Sequence, residues 1–353
     1  MSQATFKDAT LMVVGGAGFV GSNLVLKLLE QNPAKVIIVD NLLSSDQSNV
    51  VDDPRVDFRY GSITDDQILN NLPDTLDYVW HLSCFHGNQS SIADPLADHE
   101  NNTFTTLKLF EHLKKTKGLK KVVYAAAGCA VAEKTFDDAS ATYEDAPVSL
   151  YHDSPYSISK IIGELYGNYY WRQHDLPFVK CRFQNVYGPR EMLGAGSWRG
   201  TVHTVWRNVT PTFIWKSLNH EALPLDNGGN ASRDFIFVED MARGLMAAAL
   251  KGEPGEIYNL ASGVETTIRD LAEMINEITG NPTPVDLKPA RDWDRSGKRF
   301  GATEKSKEKL GFEAQVGVRE GLEKTIAWTK ENRDHIDGLM KQHAYFMKQA
   351  QAK

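Results

Sequence analysis

The chain has 353 residues, of which 41% are hydrophobic and 24% are charged, and its net charge is -7. These values are ordinary for a globular protein long enough to bury a large core, and we expect two lobes rather than one. The acidic balance argues against nucleic acid as the main partner, because phosphate binding needs a basic face. A local cationic pocket for a diphosphate stays compatible with it.

The first ten residues are polar, unlike a secretory leader, and no apolar run approaches the roughly 18 residues that cross a bilayer. Cys84, Cys129 and Cys181 lie far apart and lack the spacing of a metal site, so we expect reduced thiols. The sequence therefore predicts a cytoplasmic protein with no membrane partner and no bound metal.

Short β-rich runs alternate with helical patterns through the first half of the chain. Because these runs are apolar throughout, we expect a parallel sheet that is covered by helices on both faces. The predicted strands are 11–14, 36–39, 78–81, 122–124 and 178–183, and the predicted helices are 22–31 and 103–115.

Beyond Gly188, glycine and proline residues divide the chain into loops and short elements. We expect a strand at 234–238 that rejoins the sheet, and helices at 240–250 and 268–278. The last stretch is polar and forms either a helix or a frayed tail. The predicted division is 1–188 with about 234–262 as one domain, 189–233 with 263–335 as a smaller lobe, and 336–353 as the polar tail.

Gly15, Gly18 and Gly21 follow the first predicted strand and open the first predicted helix. A dinucleotide pyrophosphate needs this context, because backbone N–H groups then approach the phosphates and the helix N-terminus offers partial positive charge. A glycine-rich turn without a ligand is the alternative. The strand before the motif and the helix after it favour the nucleotide site.

Asp40 ends the second predicted strand, 19 residues beyond Gly21. A carboxylate at this position accepts hydrogen bonds from both ribose hydroxyls and repels a 2′-phosphate, so the sequence favours NAD over NADP. In the alternative interpretation, Asp40 only caps the turn that follows the strand.

Tyr156 and Lys160 are spaced i, i+4 on a predicted helix and therefore share a face. A neighbouring ammonium favours the phenolate, so we expect the pKa of Tyr156 to fall below about 10 and the phenol to act as a general base at neutral pH. Such a pair is common on surface helices. Together with the glycine motif it indicates hydride chemistry on a bound sugar or alcohol.

These features resemble the extended short-chain dehydrogenases/reductases. From about residue 10 to about residue 330 the chain is similar to the NAD-dependent nucleotide-sugar epimerases and dehydratases of the UDP-galactose 4-epimerase type. The resemblance implies an α/β fold, namely a Rossmann-type doubly wound parallel sheet with a smaller C-terminal α/β lobe that binds the substrate. It also implies NAD as the cofactor, a UDP-sugar as the substrate, and a homodimer formed through 101–117 and 155–174.

Further segments carry the resemblance to individual residues. Segments 182–189, 208–211, 233–238 and 289–294 are similar to those that hold the substrate, and 81–84 occupies the place of a cofactor-contacting loop. By this resemblance the cofactor is bound by Gly15, Gly18, Phe19, Val20, Gly21, Asp40, Asn41, Ser62, Ile63, Leu82, Ser83, Asn101, Tyr156 and Lys160. The predicted substrate residues are His86, Asn185, Asn208, Arg233, Arg291 and Asp294.

Some of these roles have alternatives. A structural role is the alternative for His86, and surface salt bridging is the alternative for the two arginines. Guanidinium groups nevertheless suit phosphate, because they bind its oxygens in a bidentate fork. Trp198 and Arg199, in the glycine-rich stretch of the smaller lobe, are candidates for covering the base or the sugar.

One departure from the family concerns the catalytic hydroxyl. The family carries Ser or Thr after the strand at 122–124, where the hydroxyl bridges the sugar O4 and the tyrosine, whereas this chain has Ala127, or alternatively Ala126, in that place. The loss of such a donor costs about 10²-fold in rate by analogy with other catalytic donors. Candidate replacements are Cys129, Thr135, Ser140 or a water. The predicted catalytic positions are Tyr156, Lys160, Ala127 and Cys129.

The neighbouring positions restrict the reaction. Family 4,6-dehydratases carry Asp-Glu after the hydroxyl residue and nucleotide-sugar decarboxylases carry Glu, whereas this chain has Gly128 and Cys129. The remaining mechanism is 4-epimerisation of a UDP-hexose or a UDP-uronate. Tyr156 takes the O4 proton, hydride passes from C4 to NAD, the transient 4-keto sugar rotates, and the hydride returns to the other face.

Two alternatives stay open. With Cys129 or Glu133 as an acid/base, the protein would be a dehydratase or another NAD-dependent nucleotide-sugar oxidoreductase. The missing hydroxyl also fits a catalytically weakened protein that binds NAD and a nucleotide sugar. The negative charge disfavours a nucleic-acid scaffold.

Overall fold

The computed structural model describes residues 5–131, 135–291 and 297–351. The strands are β1 (Thr10–Val14), β2 (Lys35–Asp40), β3 (Val56–Tyr60), β4 (Tyr78–His81), β5 (Lys121–Ala127), β6 (Ala141–Thr142), β7 (Phe178–Phe183), β8 (Asn185–Tyr187), β9 (Pro224–Asp226), β10 (Ser232–Phe237), β11 (Ile257–Leu260), β12 (Glu265–Thr267), β13 (Asp286–Lys288) and β14 (Phe300–Gly301). The helices are α1 (Phe19–Leu29), α2 (Asp66–Asn70), α3 (Asn88–Ala93), α4 (Pro95–Asp98), α5 (Thr105–Leu113), α6 (Pro155–His174), α7 (Val209–Leu218), α8 (Val238–Lys251), α9 (Ile268–Thr279), α10 (Val318–Glu331), α11 (Arg333–Lys341) and α12 (Ala344–Gln351).

A seven-stranded sheet has the order β11-β7-β5-β4-β1-β2-β3, and every neighbouring pair in it is parallel. Alternate residues of one strand enter cores on opposite faces. Leu11 and Val13 pack with α1 and α8, whereas Met12 packs with α5 and α6. Burial on both faces explains the uninterrupted apolar runs, and it confirms the predicted doubly wound α/β fold.

Two strands differ from the expectation. The sequence pattern does not reveal β3, because its segment is polar and lies half-buried at the sheet edge. The prediction that 234–238 rejoins the main sheet is wrong, since β10 pairs with β8 and β12 in a separate sheet and β11 takes the edge beside β7. Phe235 and Phe237 give the reason, because both are buried in a separate core with residues of α7, α9 and α10. The division of the chain at Gly188 stays a prediction.

The C-terminal stretch is helical and docked rather than frayed. α11 buries Ile336 in a small core with Met192. The side chains of Gln342 and His343 contact the carbonyl oxygen of Gly194 at 2.9 and 2.8 Å. The last helices therefore hold the segment that precedes α7 in place. Within the described ranges, no helix has the length and apolar character that crossing a bilayer requires.

Helix α6 packs so closely on the sheet that Gly167 has no room for a side chain. A Cβ atom there would stand 2.0 Å from the ring of the buried Phe178. We expect Gly167→Ala to lower the free energy of unfolding by about 1–3 kcal/mol, because the ring or the helix must shift. Urea unfolding followed by circular dichroism measures this change.

Gly338→Ala on α11 is the matched control. Nothing lies within 4 Å of the Cβ position at Gly338. The gain in helix propensity should therefore raise the free energy of unfolding by about 0.5–1 kcal/mol. Equal effects of the two substitutions would contradict the packing argument.

Candidate active site

A cavity of about 870 Å³ opens at the carboxyl ends of the main-sheet strands and extends to β10 and α7. Every predicted site residue within the described ranges lines it, from the glycine turn to Arg291. Asp294 and Glu133 lie outside the described residues. The structure thus brings the predicted residues together at one place, and the roles assigned to them stay predictions.

The glycine turn between β1 and α1 is closely packed. A Cβ atom at Gly21 would lie 2.1 Å from the carbonyl oxygen of Gly15, and one at Gly15 would lie 2.6 Å from the backbone nitrogen of Ser83. Gly15 also has a φ of 85°, which residues with a side chain rarely adopt. The N-terminus of α1 can therefore approach a ligand closely, which fits the pyrophosphate of a dinucleotide.

Asp40 joins the glycine turn to the loop after β2. Its Oδ2 accepts a hydrogen bond from Ala17 N at 3.0 Å, and its Oδ1 accepts from Leu42 N at 2.9 Å and from Ser45 Oγ at 3.0 Å. Burial raises the pKa of Asp40, and these hydrogen bonds oppose the rise. Asp40 therefore caps the following turn and also lines the cavity, so the two interpretations of this residue are compatible.

Helix α6 carries Tyr156 and Lys160 in its first two turns. Ser154 begins the helix by accepting a hydrogen bond from Ser157 N at 3.3 Å. Lys160 is buried, and its Nζ donates to Ala125 O at 3.0 Å and lies 5.8 Å from the centre of the Tyr156 ring. The end of β5 thus fixes the ammonium beside the phenol.

The predicted fall in the pKa of Tyr156 is wrong when only the protein's own groups are considered. Burial raises the pKa of Tyr156 well above its usual value, and the Cys84 and Cys129 thiols and the Tyr124 phenol add to the rise. Desolvation therefore outweighs the ammonium of Lys160.

Ala127 stands in the place of the family's hydroxyl, as the last residue of β5, and lines the cavity. Among the predicted replacements, Cys129 lines the cavity, whereas Thr135 and Ser140 do not. The Thr135 hydroxyl instead accepts from Asp137 N at 3.0 Å. Of the predicted replacements that are side chains, only Cys129 is therefore placed to substitute for the hydroxyl among the described residues. Any other substitute must be a residue that the sequence motifs do not indicate for this role.

His86 and Arg199 form the cavity wall beside Tyr156. The His86 and Tyr156 rings pack edge-on with their centroids 5.7 Å apart, and burial together with Arg199 lowers the pKa of His86 to about 3. Arg199 is 6% exposed, donates through Nη1 to His86 O at 3.0 Å, and has no hydrogen-bond partner for its Nε among the described residues. Burial lowers the pKa of Arg199, and the group that offsets this effect is the Cys84 thiol rather than a carboxylate.

The residues predicted to hold the diphosphate already make protein contacts. Asn208 donates to the carboxylate of Glu191, and burial raises the pKa of Glu191 to about 7. Arg233 donates to two backbone carbonyl oxygens at 2.6 Å, and Arg291 forms a salt bridge with Asp226. A diphosphate here would add to these contacts or replace some of them.

The sequence motifs do not reveal several residues of the wall. Arg207 lies half-buried against the loop after β2, where it donates to Ser44 O at 2.6 Å. The signal that points to it is its place directly before the predicted Asn208. Gln184 lies within segment 182–189, directly before the predicted Asn185, whereas Glu191 carries no comparable signal, because only packing brings it to the cavity.

Of the two residues predicted to cover the base or the sugar, only Arg199 lines the cavity. Trp198 stacks on Phe346 of α12 instead, with the ring centroids 5.4 Å apart and the planes inclined by 15°. The indole is therefore part of the contact between the C-terminal helices and the segment before α7.

Comparisons with known proteins identify the family of the chain. A model described as the NAD dependent epimerase/dehydratase family matches residues 11–261. The UDP-glucose 4-epimerase of Mycolicibacterium smegmatis is 30% identical over 319 residues, which cover 89% of this chain and 96% of that protein. The Bordetella bronchiseptica enzyme WbmF, solved in complex with NAD+ and UDP, is 57% identical with a TM-score of 0.88 and 98% of each chain covered. An epimerase of Methanothermobacter thermautotrophicus is 37% identical with a TM-score of 0.86, and 94% of this chain and 95% of that chain are covered.

The matched segment begins in β1 and ends directly after β11, so it contains the whole main sheet. It also contains the glycine turn, Asp40 and the Tyr156–Lys160 pair, which are the features that fit a dinucleotide and a proton transfer. The chain therefore belongs to the NAD-dependent epimerase/dehydratase family of enzymes, with NAD as its cofactor.

Proposed function

We propose that this protein is a nucleotide-sugar 4-epimerase that acts on a UDP-hexose or a UDP-uronate through a transient 4-keto sugar. One observation carries the proposal. The Tyr156–Lys160 pair shares its cavity with Ala127 and Cys129. The two positions that carry acids in a dehydratase hold Gly128 and Cys129 here, so neither is a carboxylate. The relatives support it, because one is a UDP-glucose 4-epimerase and the WbmF structure contains NAD+ and UDP.

In this mechanism Tyr156 moves the proton at the sugar O4. Lys160 stays beside the phenol because Ala125 O holds its ammonium, and the same ammonium is close enough to the cavity to hold a ribose hydroxyl. NAD supplies the hydride acceptor and a positively charged ring, and such a charge offsets the effect of burial on the phenol. His86 is neutral at neutral pH, so it orients groups rather than donating a charge.

Of the two classes of sugar, the surroundings of Arg199 suit a uronate better than a neutral hexose. It contacts Tyr156 through His86, its Nε meets no partner in the described part of the chain, and it is almost fully buried. A carboxylate on the sugar would supply both an acceptor and a negative charge at this place. A neutral hexose would supply hydroxyl acceptors alone.

We also propose a cytoplasmic homodimer. Helix α6 exposes Ile158, Leu165 and Tyr169, whose spacing places them on one face, and the neighbouring helical segment exposes Leu96 and Phe104. Large apolar residues grouped on adjacent helices mark a protein interface. A second copy of the chain supplies the same face across a two-fold axis.

Proton NMR in deuterium oxide with UDP-hexoses and UDP-uronates tests the reaction. We expect a C4-inverted product without solvent deuterium, because the hydrogen that leaves C4 returns to it. Tyr156→Phe should lower the turnover by about 10²–10⁴-fold while NAD stays bound. Deuterium in the product would instead identify the protein as a dehydratase or another oxidoreductase that uses Cys129 as an acid/base. Ligand binding without any product would assign a binding protein.

Arg199→Gln tests the class of sugar. We expect kcat/KM for UDP-glucuronate to fall roughly 10–100-fold, because a hydrogen bond to a charged group contributes about 1.5–3 kcal/mol. The value for UDP-glucose should stay nearly constant. Arg269→Gln is the control, since Arg269 also donates to a backbone oxygen but does not line the cavity. Equal losses for both sugars with Arg199→Gln would speak against a uronate.

Leu165→Glu tests the homodimer. Leu165 is 61% exposed on α6, so a charge there should weaken association without disturbing the core. Val264→Glu is the control, because Val264 is 55% exposed in the loop before β12, away from this face. Size-exclusion chromatography with light scattering measures the mass. We expect a dimer for the wild-type protein and the control, and a monomer for Leu165→Glu; a dimeric Leu165→Glu would place the interface elsewhere.

A further inference from the structure

Gln184 directly follows β7, one residue beyond the point where Phe183 pairs with Ala127 of β5. Continuation of this parallel register places Gln184 beside Gly128, at the carboxyl end of the sheet where the cavity opens. Gln184 is therefore next to the position that lacks the family's hydroxyl.

Two glycines leave room for the Gln184 side chain. A Cβ atom at Gly128 would lie 2.4 Å from Gln184 Nε2, and one at Gly301 would lie 2.8 Å from the same atom. Neither glycine has a positive φ, so space rather than backbone conformation explains the absence of a side chain at both positions. The amide is thus closely packed between the ends of β5 and β14.

The Gln184 amide makes no hydrogen bond to any residue that the structure describes. It lines the cavity together with Ala127 and Tyr156. An amide has two N–H donors and an acceptor oxygen, and the half-buried side chain of Gln184 keeps them accessible from the cavity. A ligand in the cavity is the partner that this position offers.

We propose that Gln184 Nε2 donates a hydrogen bond to the oxygen on the reacting sugar carbon and so replaces the hydroxyl that Ala127 lacks. The inference rests on the proposed function for the identity of that sugar. An amide donates without passing on a proton, so the proton of the sugar oxygen goes directly to Tyr156. The Cys129 thiol is a weaker donor and a poorer replacement.

A double-mutant cycle tests this role. Gln184→Met removes the amide at nearly constant volume, and Ala127→Ser restores the family's hydroxyl. We expect Gln184→Met to lower kcat about 10²-fold at unchanged NAD content, and Ala127→Ser is measured alone to complete the cycle. The double variant should recover about tenfold over Gln184→Met, because the two groups serve the same oxygen. A loss that Ala127→Ser does not relieve would overturn the proposal.

Calorimetric binding to the NAD-loaded Tyr156→Phe protein tests the contact without turnover. The probes are UDP, UDP-glucose and UDP-glucuronate. The quantity of interest is the ratio of the affinity for the UDP-sugar to the affinity for UDP. We expect this ratio to fall by about 3–10-fold in Gln184→Met, whereas UDP alone should bind equally well to both proteins. One outcome is that the wild-type protein inverts no sugar while the sugar's contribution to affinity still depends on Gln184. This result would refute the epimerase proposal but support the hydrogen bond from Gln184 to the sugar. If the sugar contributes no affinity, or contributes equally in the wild-type protein and in Gln184→Met, the proposed hydrogen bond is refuted regardless of which product forms.

Discussion

A buried, bidentate salt bridge holds the helix of the candidate catalytic pair to the main sheet. Arg182 on β7 donates through Nε and Nη2 to the carboxylate of Glu164 on α6, at 3.0 Å each, and through Nη1 to Glu144 O at 2.9 Å. Tyr156 precedes Glu164 on the same helix, and Gln184 follows Arg182 along the chain. This contact therefore ties the helix that carries the phenol to the strand that directly precedes the amide. Breaking such a pair costs about 3–5 kcal/mol, because the remaining charge stays buried.

Several positively charged side chains lie around the cavity, although the net charge of the chain is -7. Lys160 and Arg199 are buried and Arg207 is half-buried there, and backbone carbonyl oxygens rather than carboxylates accept their hydrogen bonds. Glu191 lies in the same wall, yet burial raises its pKa to about 7, so it neutralises this charge only in part. An anionic ligand completes the balance, which is why a diphosphate and a sugar carboxylate suit the same cavity.

The sequence was sufficient for features that depend on local chain geometry. Apolar runs predicted five of the seven main-sheet strands but missed β3 and β11, and spacing placed Tyr156 and Lys160 on one face of α6. The run that forms β10 suits either sheet, and only the packing of its two phenylalanines decides between them. Likewise, the pKa of Tyr156 depends on burial and on Cys84 and Cys129, which are distant in sequence. The neighbours of Gln184 come from three separate segments, so no motif could indicate its place.

The C-terminal helices reach the loop that follows β2. His335 on α11 contacts Asp46 at 3.1 Å and Ser48 at 3.3 Å, and the same loop lines the cofactor end of the cavity through Asn41 and Ser45. Two events that order one loop stabilise each other by the same free energy. With NAD bound as the sequence predicts, against Asn41 of this loop, docking of these helices would favour retention of NAD, and NAD would favour their docking. The residence time of the cofactor would then be linked to a segment that lies outside the family-matched residues 11–261.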